Sequence, residues 1–129
     1  MTDSSLIQEF RSYFKAYGEG FHARSGAQIA DFFCTPCISM RGDASIHCFN
    51  SRPETDRFFQ GVADTYYEEG LRSSDIKNLE VIPIGGRSLI ASMDWVFYRG
   101  DGTLLKRWRQ SYNLVRVGAV GKFCCRPFT

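Results

Sequence analysis

Asp94 is a carboxylate set inside an otherwise apolar run, Leu89-Ile90-Ala91-Ser92-Met93-Asp94-Trp95-Val96-Phe97. An acid placed this way has two readings. Turned toward a core, it would be desolvated, its pKa would rise, and it could serve as a catalytic acid. Turned outward, it would pair with a cation on the next strand and contribute less than about 1 kcal/mol if exposed. Four further groups carry candidate chemistry. Cys34-Thr35-Pro36-Cys37 has the C-x-x-C spacing of redox and zinc sites. His22 and His47 are the only histidines, and Asp43 follows Gly42 in a turn-like stretch; each could move a proton. Lastly, Tyr13, Tyr17, Trp95, Trp108, Gln110 and Tyr112 are large or amphipathic side chains with polar tips. Such a set suits a flat, largely apolar ligand held by a few hydrogen bonds.

Composition narrows the classes. The chain has 129 residues, a length that fits one domain spanning 1–129, and its 43% hydrophobic and 15% aromatic content supports one substantial core. The charge of +2 is a balance of scattered acids and bases without a basic run, so no nucleic-acid partner is expected. No stretch approaches the roughly 18 apolar residues of a membrane helix, and the N-terminal residues lack a signal pattern. A cytoplasmic protein with no membrane partner and reduced cysteines is therefore expected.

Periodicity supplies the elements that must position these groups. Leu6, Phe10, Tyr13, Phe14, Tyr17 and Phe21 fall three and four apart and draw one stripe down a helix ending near Arg24, with Ser5 and Gln8 as a capping pair. Gly18 and Gly20 either weaken its last turns or permit close packing. Ser25 and Gln28 repeat the capping pattern before a short second helix that Pro36 ends. Strands over 37–41 and 45–49 come next. A third helix opens at Ser51, Pro53 and Glu54, carries Phe58, Phe59, Val62 and Tyr66 as its buried stripe, and closes at Gly70. Strands over 79–84, 88–99, 103–116 and 122–128 complete the chain, broken by glycine-rich turns. Helices segregated from a meander describe an α+β layer arrangement.

In this context the C-x-x-C pair closes a helix and enters a strand, whereas a redox pair opens a helix after a strand. Cys124 and Cys125 are strand neighbours pointing to opposite faces, so they do not complete a zinc site. No metal and no cofactor is expected.

Register decides which way Asp94 points. If Asp101-Gly102 is the two-residue loop, paired positions sum to 203, so Trp95 meets Trp108 and Asp94 meets Arg109. A loop two residues longer pairs Asp94 with Arg107 and keeps every side chain on its face, whereas a three-residue loop would break the scheme. One face then carries Leu89, Met93, Trp95, Phe97, Trp108, Gln110, Tyr112 and Leu114. The other carries Ser92, Asp94, Val96, Tyr98, Arg107, Arg109 and Ser111. The apolar face should meet the helices and the charged face should look out. The ion-pair reading of Asp94 is thus favoured, with Asp94, Arg107 and Arg109 as a candidate interface.

Tyr13-Phe14 and Tyr17 on the first helix, Phe32-Phe33 before Pro36, and the passage from Asp94-Trp95-Val96-Phe97-Tyr98 to Trp108-Arg109-Gln110-Ser111-Tyr112 resemble the nuclear transport factor 2-like superfamily, which includes ketosteroid isomerase and the SnoaL-like polyketide cyclases. The resemblance covers nearly the whole chain. It implies three N-terminal helices on a strongly bent, mostly antiparallel sheet, a cone-like, cystatin-like roll with a ligand pocket in its mouth, and a homodimer through the outer sheet face. Isomerase chemistry of that kind needs a carboxylate base and an oxyanion made stable by a Tyr and a neutral acid. By the resemblance, the tyrosine falls on Tyr17 or Tyr13, the base on Arg41 and the oxyanion acid on Tyr112 or Gln110, so both carboxylates are missing.

The expected function is a small-molecule-binding domain using Tyr13, Tyr17, Met93, Trp95, Trp108, Gln110 and Tyr112, its catalytic residues unassigned. An open cavity would distinguish it from an aromatic core that is simply filled, and from a dimerisation or accessory module acting through its outer face. A metal-free isomerase, cyclase or hydratase using Asp43 or His47 is the third reading.

Overall fold

The computed structural model describes residues 4–40, 43–117 and 122–128. Helix α1 (Ser4–His22) turns Phe10, Phe14, Tyr17 and Phe21 inward as the stripe requires. Ser5 already lies within the helix and so does not cap it. Helix α2 (Gly26–Ala30) is capped by Ser25, whose hydroxyl accepts from the Gln28 N–H at 3.1 Å. Helix α3 (Arg52–Glu69) starts at Ser51, whose hydroxyl accepts from the Glu54 N–H at 3.4 Å, and ends at Gly70 in the left-handed region at φ 119°. There the Gly70 and Leu71 amides close on the carbonyls of Tyr67 and Tyr66, which satisfies backbone acceptors that helix ends leave open.

The glycines of this region serve close packing. A methyl group on Gly26 would lie 2.5 Å from both the Asp56 carbonyl and the Gln60 amide of α3. Both are backbone atoms that cannot swing aside, so only glycine lets α2 seat on α3. Gly18 similarly makes room for the edge of the Trp95 ring and the Ser74 hydroxyl.

Strands β1 (Cys37–Met40), β2 (Ile46–Phe49), β3 (Ser73–Ile84), β4 (Ser88–Tyr98), β5 (Leu104–Val117) and β6 (Lys122–Phe128) form one sheet in the order β2-β1-β6-β5-β4-β3. All pairings are antiparallel except that of β1 with β6, where Met40 meets Phe128. The short N-terminal hairpin thus extends the meander instead of standing apart from it. β3 begins at Ser73, six residues before the expected Leu79, and its ladder shifts between Lys77 and Glu80, with Asn78 at φ 55°. Its polar outer positions and this bulge hide the early half from an alternation test.

The two longest strands pair Trp95 with Trp108, Asp94 with Arg109, Val96 with Arg107 and Phe97 with Lys106. Their loop, however, has three residues. Arg99 N–H bonds to the Thr103 carbonyl at 2.9 Å, Gly102 N–H bonds back to Arg99 at 3.0 Å, and Gly102 takes φ 85°. The odd loop is compensated one step later, because Tyr98 pairs with Leu104 while Phe97 pairs with Lys106. Leu105 is the extra residue, and this bulge restores the register of the two-residue scheme. The faces below the bulge are those that parity requires. Leu89, Ala91, Met93, Trp95, Phe97, Tyr112 and Leu114 are buried against the helices.

Candidate functional site

The helices do not fill the concavity of the sheet. A cavity of about 320 Å³ remains, within the lower part of the range of roughly 300–1,000 Å³ common for small-molecule pockets. One wall is sheet: Trp95 and Phe97 from β4, and Lys106, Trp108, Gln110 and Tyr112 from β5. The opposite wall is α3, with Phe58, Phe59, Val62 and Tyr66, while Tyr17 and Phe21 of α1 and Ser39 of β1 close the sides. The α3 stripe therefore has two jobs. Phe59 is buried against Phe33, the rings stacked 4.5 Å apart, whereas Phe58, Val62 and Tyr66 are only half-buried because they look into open space.

Hydrogen bonds fix the aromatic wall. Trp95 Nε1 donates to the Tyr112 hydroxyl oxygen at 2.9 Å, a fully buried bond, and Trp108 Nε1 donates to Gln110 Oε1 at 2.8 Å. Both indole N–H groups are thus used within the wall, so the tryptophans offer a ligand their faces and edges. Trp108 stands edge-on to Phe97 at 4.8 Å and 87° and lies nearly parallel to Tyr66 at 24°. The Lys106 ammonium sits over the same surface, 5.0 Å from the Tyr66 ring centre and 5.4 Å from that of Trp108.

The structure brings five of the seven expected ligand-facing residues together: Tyr17, Trp95, Trp108, Gln110 and Tyr112 line the cavity. Tyr13 and Met93 are placed elsewhere. Tyr13 packs edge-on to Phe32 at 5.0 Å and donates its hydroxyl to the Phe32 carbonyl at 3.3 Å, and Met93 is fully buried in the core. Sequence reasoning missed Lys106 as a wall residue, although its parity matches that of Trp108 and Gln110. It also assigned Phe58, Val62 and Tyr66 to core, because a helix face toward a cavity has the same period as one toward a packed interior. Ser39 carried no signal.

On the opposite face of the sheet, Asp94 accepts from Asn78 Nδ2 at 2.8 Å, Arg109 Nη1 at 2.9 Å and Arg107 Nη2 at 3.1 Å. Arg109 also reaches Glu80 at 2.7 Å. The amide of Asn78 first, then the two guanidinium groups, hold the Asp94 carboxyl down to about 2. It is an ionised outer-face group at neutral pH and has no proton to donate there.

None of the remaining candidates is among the described residues that line the cavity. Asp43 is exposed and accepts from the Ser45 N–H at 2.9 Å, closing the β1–β2 turn. His47 is exposed, its ring 5.0 Å from that of Phe58. His22 Nε2 meets the Ser74 hydroxyl at 2.7 Å, and burial pushes its pKa below the usual value despite the opposing charge of Glu19. Cys37 is buried at the start of β1 and Cys34 half-buried before it. Among the described residues no three His, Cys, Asp or Glu side chains gather as a metal site. Arg41 and the side chains of Cys124 and Cys125 lie outside the described set. No described helix is long and apolar enough to cross a membrane.

Comparison with known proteins places this geometry. A family model described as NTF2-like protein (DUF6841) matches residues 6–123. No curated protein matches the chain. Among solved structures, Aln2 from a Streptomyces species superposes with a TM-score of 0.76 at 12% identity, covering 98% of this chain and 89% of that one. An NTF2-like protein with a cystatin-like fold from Novosphingobium aromaticivorans gives 0.72 at 12%, covering 95% and 79%. A protein from Catenulispora acidiphila, solved in complex with S-DNPA, gives 0.72 at 16%, covering 95% and 90%. At these identities the likeness is one of fold.

Proposed function

Because this chain belongs to the NTF2-like family DUF6841, we propose that its cavity binds a small, flat, largely apolar molecule, and that ligand binding is its primary function. The observation that carries the reading is the cavity of about 320 Å³ between α3 and the Trp95–Trp108 face. Tyr17, Trp95, Trp108, Gln110 and Tyr112 are its proposed ligand-facing residues. The S-DNPA complex of the Catenulispora protein supports the reading by fold alone. Acidic residues are absent from the described lining, so a carboxylate proton shuttle of the isomerase kind has no candidate there and catalytic residues stay unassigned.

The chain has two tryptophans, and both belong to the cavity wall, which makes intrinsic fluorescence a local reporter. Titration with the neutral dye N-phenyl-1-naphthylamine is expected to brighten the dye and quench tryptophan emission along one saturable curve. No change in either signal up to the solubility limit of the dye would refute the reading.

A second reading concerns assembly. Ile82 and Ile84 are 56% and 49% exposed. They share the outer sheet face with Ile90 and Val115 and lie beside the lattice of Asp94, Arg107 and Arg109. An apolar patch with a charged margin is the anatomy of a protein interface, and we propose that it pairs two copies of this chain. Light scattering should give twice the chain mass for the wild type and the chain mass for Ile82→Asp. A wild type that stays monomeric at high concentration would end this proposal.

A further inference from the structure

Building on the cavity reading, we propose that the ligand is an acidic aromatic compound, its anionic group recognised by Lys106. Among the described residues that line the cavity, Lys106 alone carries a charge at neutral pH. Its direction is set by the sheet, since it pairs with Phe97 and directly opposed residues share a face. The ion pairs of the described residues engage Arg24, Arg52, Arg107, Arg109 and Arg116, and none includes Lys106.

The side chain of Lys106 is exposed, and its ammonium rests against one side of the cavity. It lies over Tyr66 and Trp108 at 5.0 and 5.4 Å from their ring centres, an arrangement in which the ring faces attract the cation and its stem covers apolar surface. A positive charge held at an aromatic wall, with water displaced on one side, attracts an anion more strongly than a lysine standing free in solvent. The wall also lacks any acidic side chain among its described members that would compete for the ammonium. A ligand that lays its rings between α3 and the Trp95–Trp108 face would bring a carboxylate, sulfonate or phosphate at its edge to this group. A neutral ligand would leave the charge unused.

The test compares two dyes that differ by one sulfonate, 8-anilinonaphthalene-1-sulfonate and N-phenyl-1-naphthylamine, on the wild type and on Lys106→Met, which keeps an unbranched apolar stem. The Kd of the sulfonate dye is expected to rise about tenfold in the variant, while that of the neutral dye changes less than about twofold. Lys106→Arg, which keeps the charge, should retain the sulfonate affinity. Lys15→Met tests a smaller cleft near His22 and Ser74 and should leave both dyes unaffected. An unchanged sulfonate affinity in Lys106→Met, or a loss that follows Lys15→Met instead, would overturn the inference. Wild type that binds the neutral dye and rejects the sulfonate would also overturn it while the cavity reading stands. Failure of both dyes on wild type would overturn the two together.

Discussion

Phe14→Ala is expected to destabilise the fold by about 3–5 kcal/mol, the range for deleting a fully buried phenylalanine. Phe14 is completely inaccessible and occupies the point where α1 presses on the sheet. Its ring centre lies 5.0 Å from that of Tyr112, 5.2 Å from Tyr13, 6.3 Å from Tyr17 and 6.5 Å from Trp95. Truncation would leave a void behind the hydrogen-bonded pair Trp95–Tyr112, and that pair cannot collapse into the space without breaking its own bond. Because small domains are stable by only about 5–15 kcal/mol, such a loss is a large share of the total. Urea denaturation followed by far-UV circular dichroism should show a strongly lowered midpoint with an unchanged slope. A loss below about 1 kcal/mol would mean that α1 is not seated on the sheet at this position.

The parts of the fold legible in the sequence are those governed by one local rule. The inward stripe of α1 follows from the three-and-four spacing of Phe10, Phe14, Tyr17 and Phe21, and the caps at Ser25, Ser51 and Gly70 follow from backbone groups that need partners. The outward turn of Asp94 follows from strand parity, which survived even though the loop has three residues, because the bulge at Leu105 offsets the odd count. Features that join distant segments were not legible. The parallel contact between β1 and β6 leaves no pattern in either strand, and the early half of β3 is masked by polar positions around Asn78.

The site was half legible for a related reason. Parity identifies the sheet wall, but no periodicity states that a helix stands away from it. Tyr13 and Tyr17 are one turn apart on the same stripe, yet Tyr13 meets Phe32 and only Tyr17 reaches the cavity. Lys106 has the same parity as Trp108 and Gln110 and pairs with Phe97. It is exposed while sharing the cavity lining with aromatic side chains, which keeps its ammonium solvated yet within reach of a ligand's edge.

Val62→Trp is expected to weaken binding of N-phenyl-1-naphthylamine by about a hundredfold or more, equivalent to roughly 2.7 kcal/mol, while leaving the protein folded. Val62 projects from α3 into the cavity and is only half-buried, so an indole at this position would extend into empty volume rather than into packed atoms. Overpacking normally costs about 1–3 kcal/mol because neighbours must move. Here the space of about 320 Å³ already exists, and the new ring would face Trp95 and Trp108 as a ligand would. Thermal unfolding should therefore stay near the wild-type midpoint or rise, since added apolar contact replaces solvated surface. Loss of dye binding in a folded Val62→Trp protein would locate the ligand between α3 and β5. Unimpaired binding in the same folded variant would mean that the dye sits elsewhere, and the cavity would then have no claim to be the functional site.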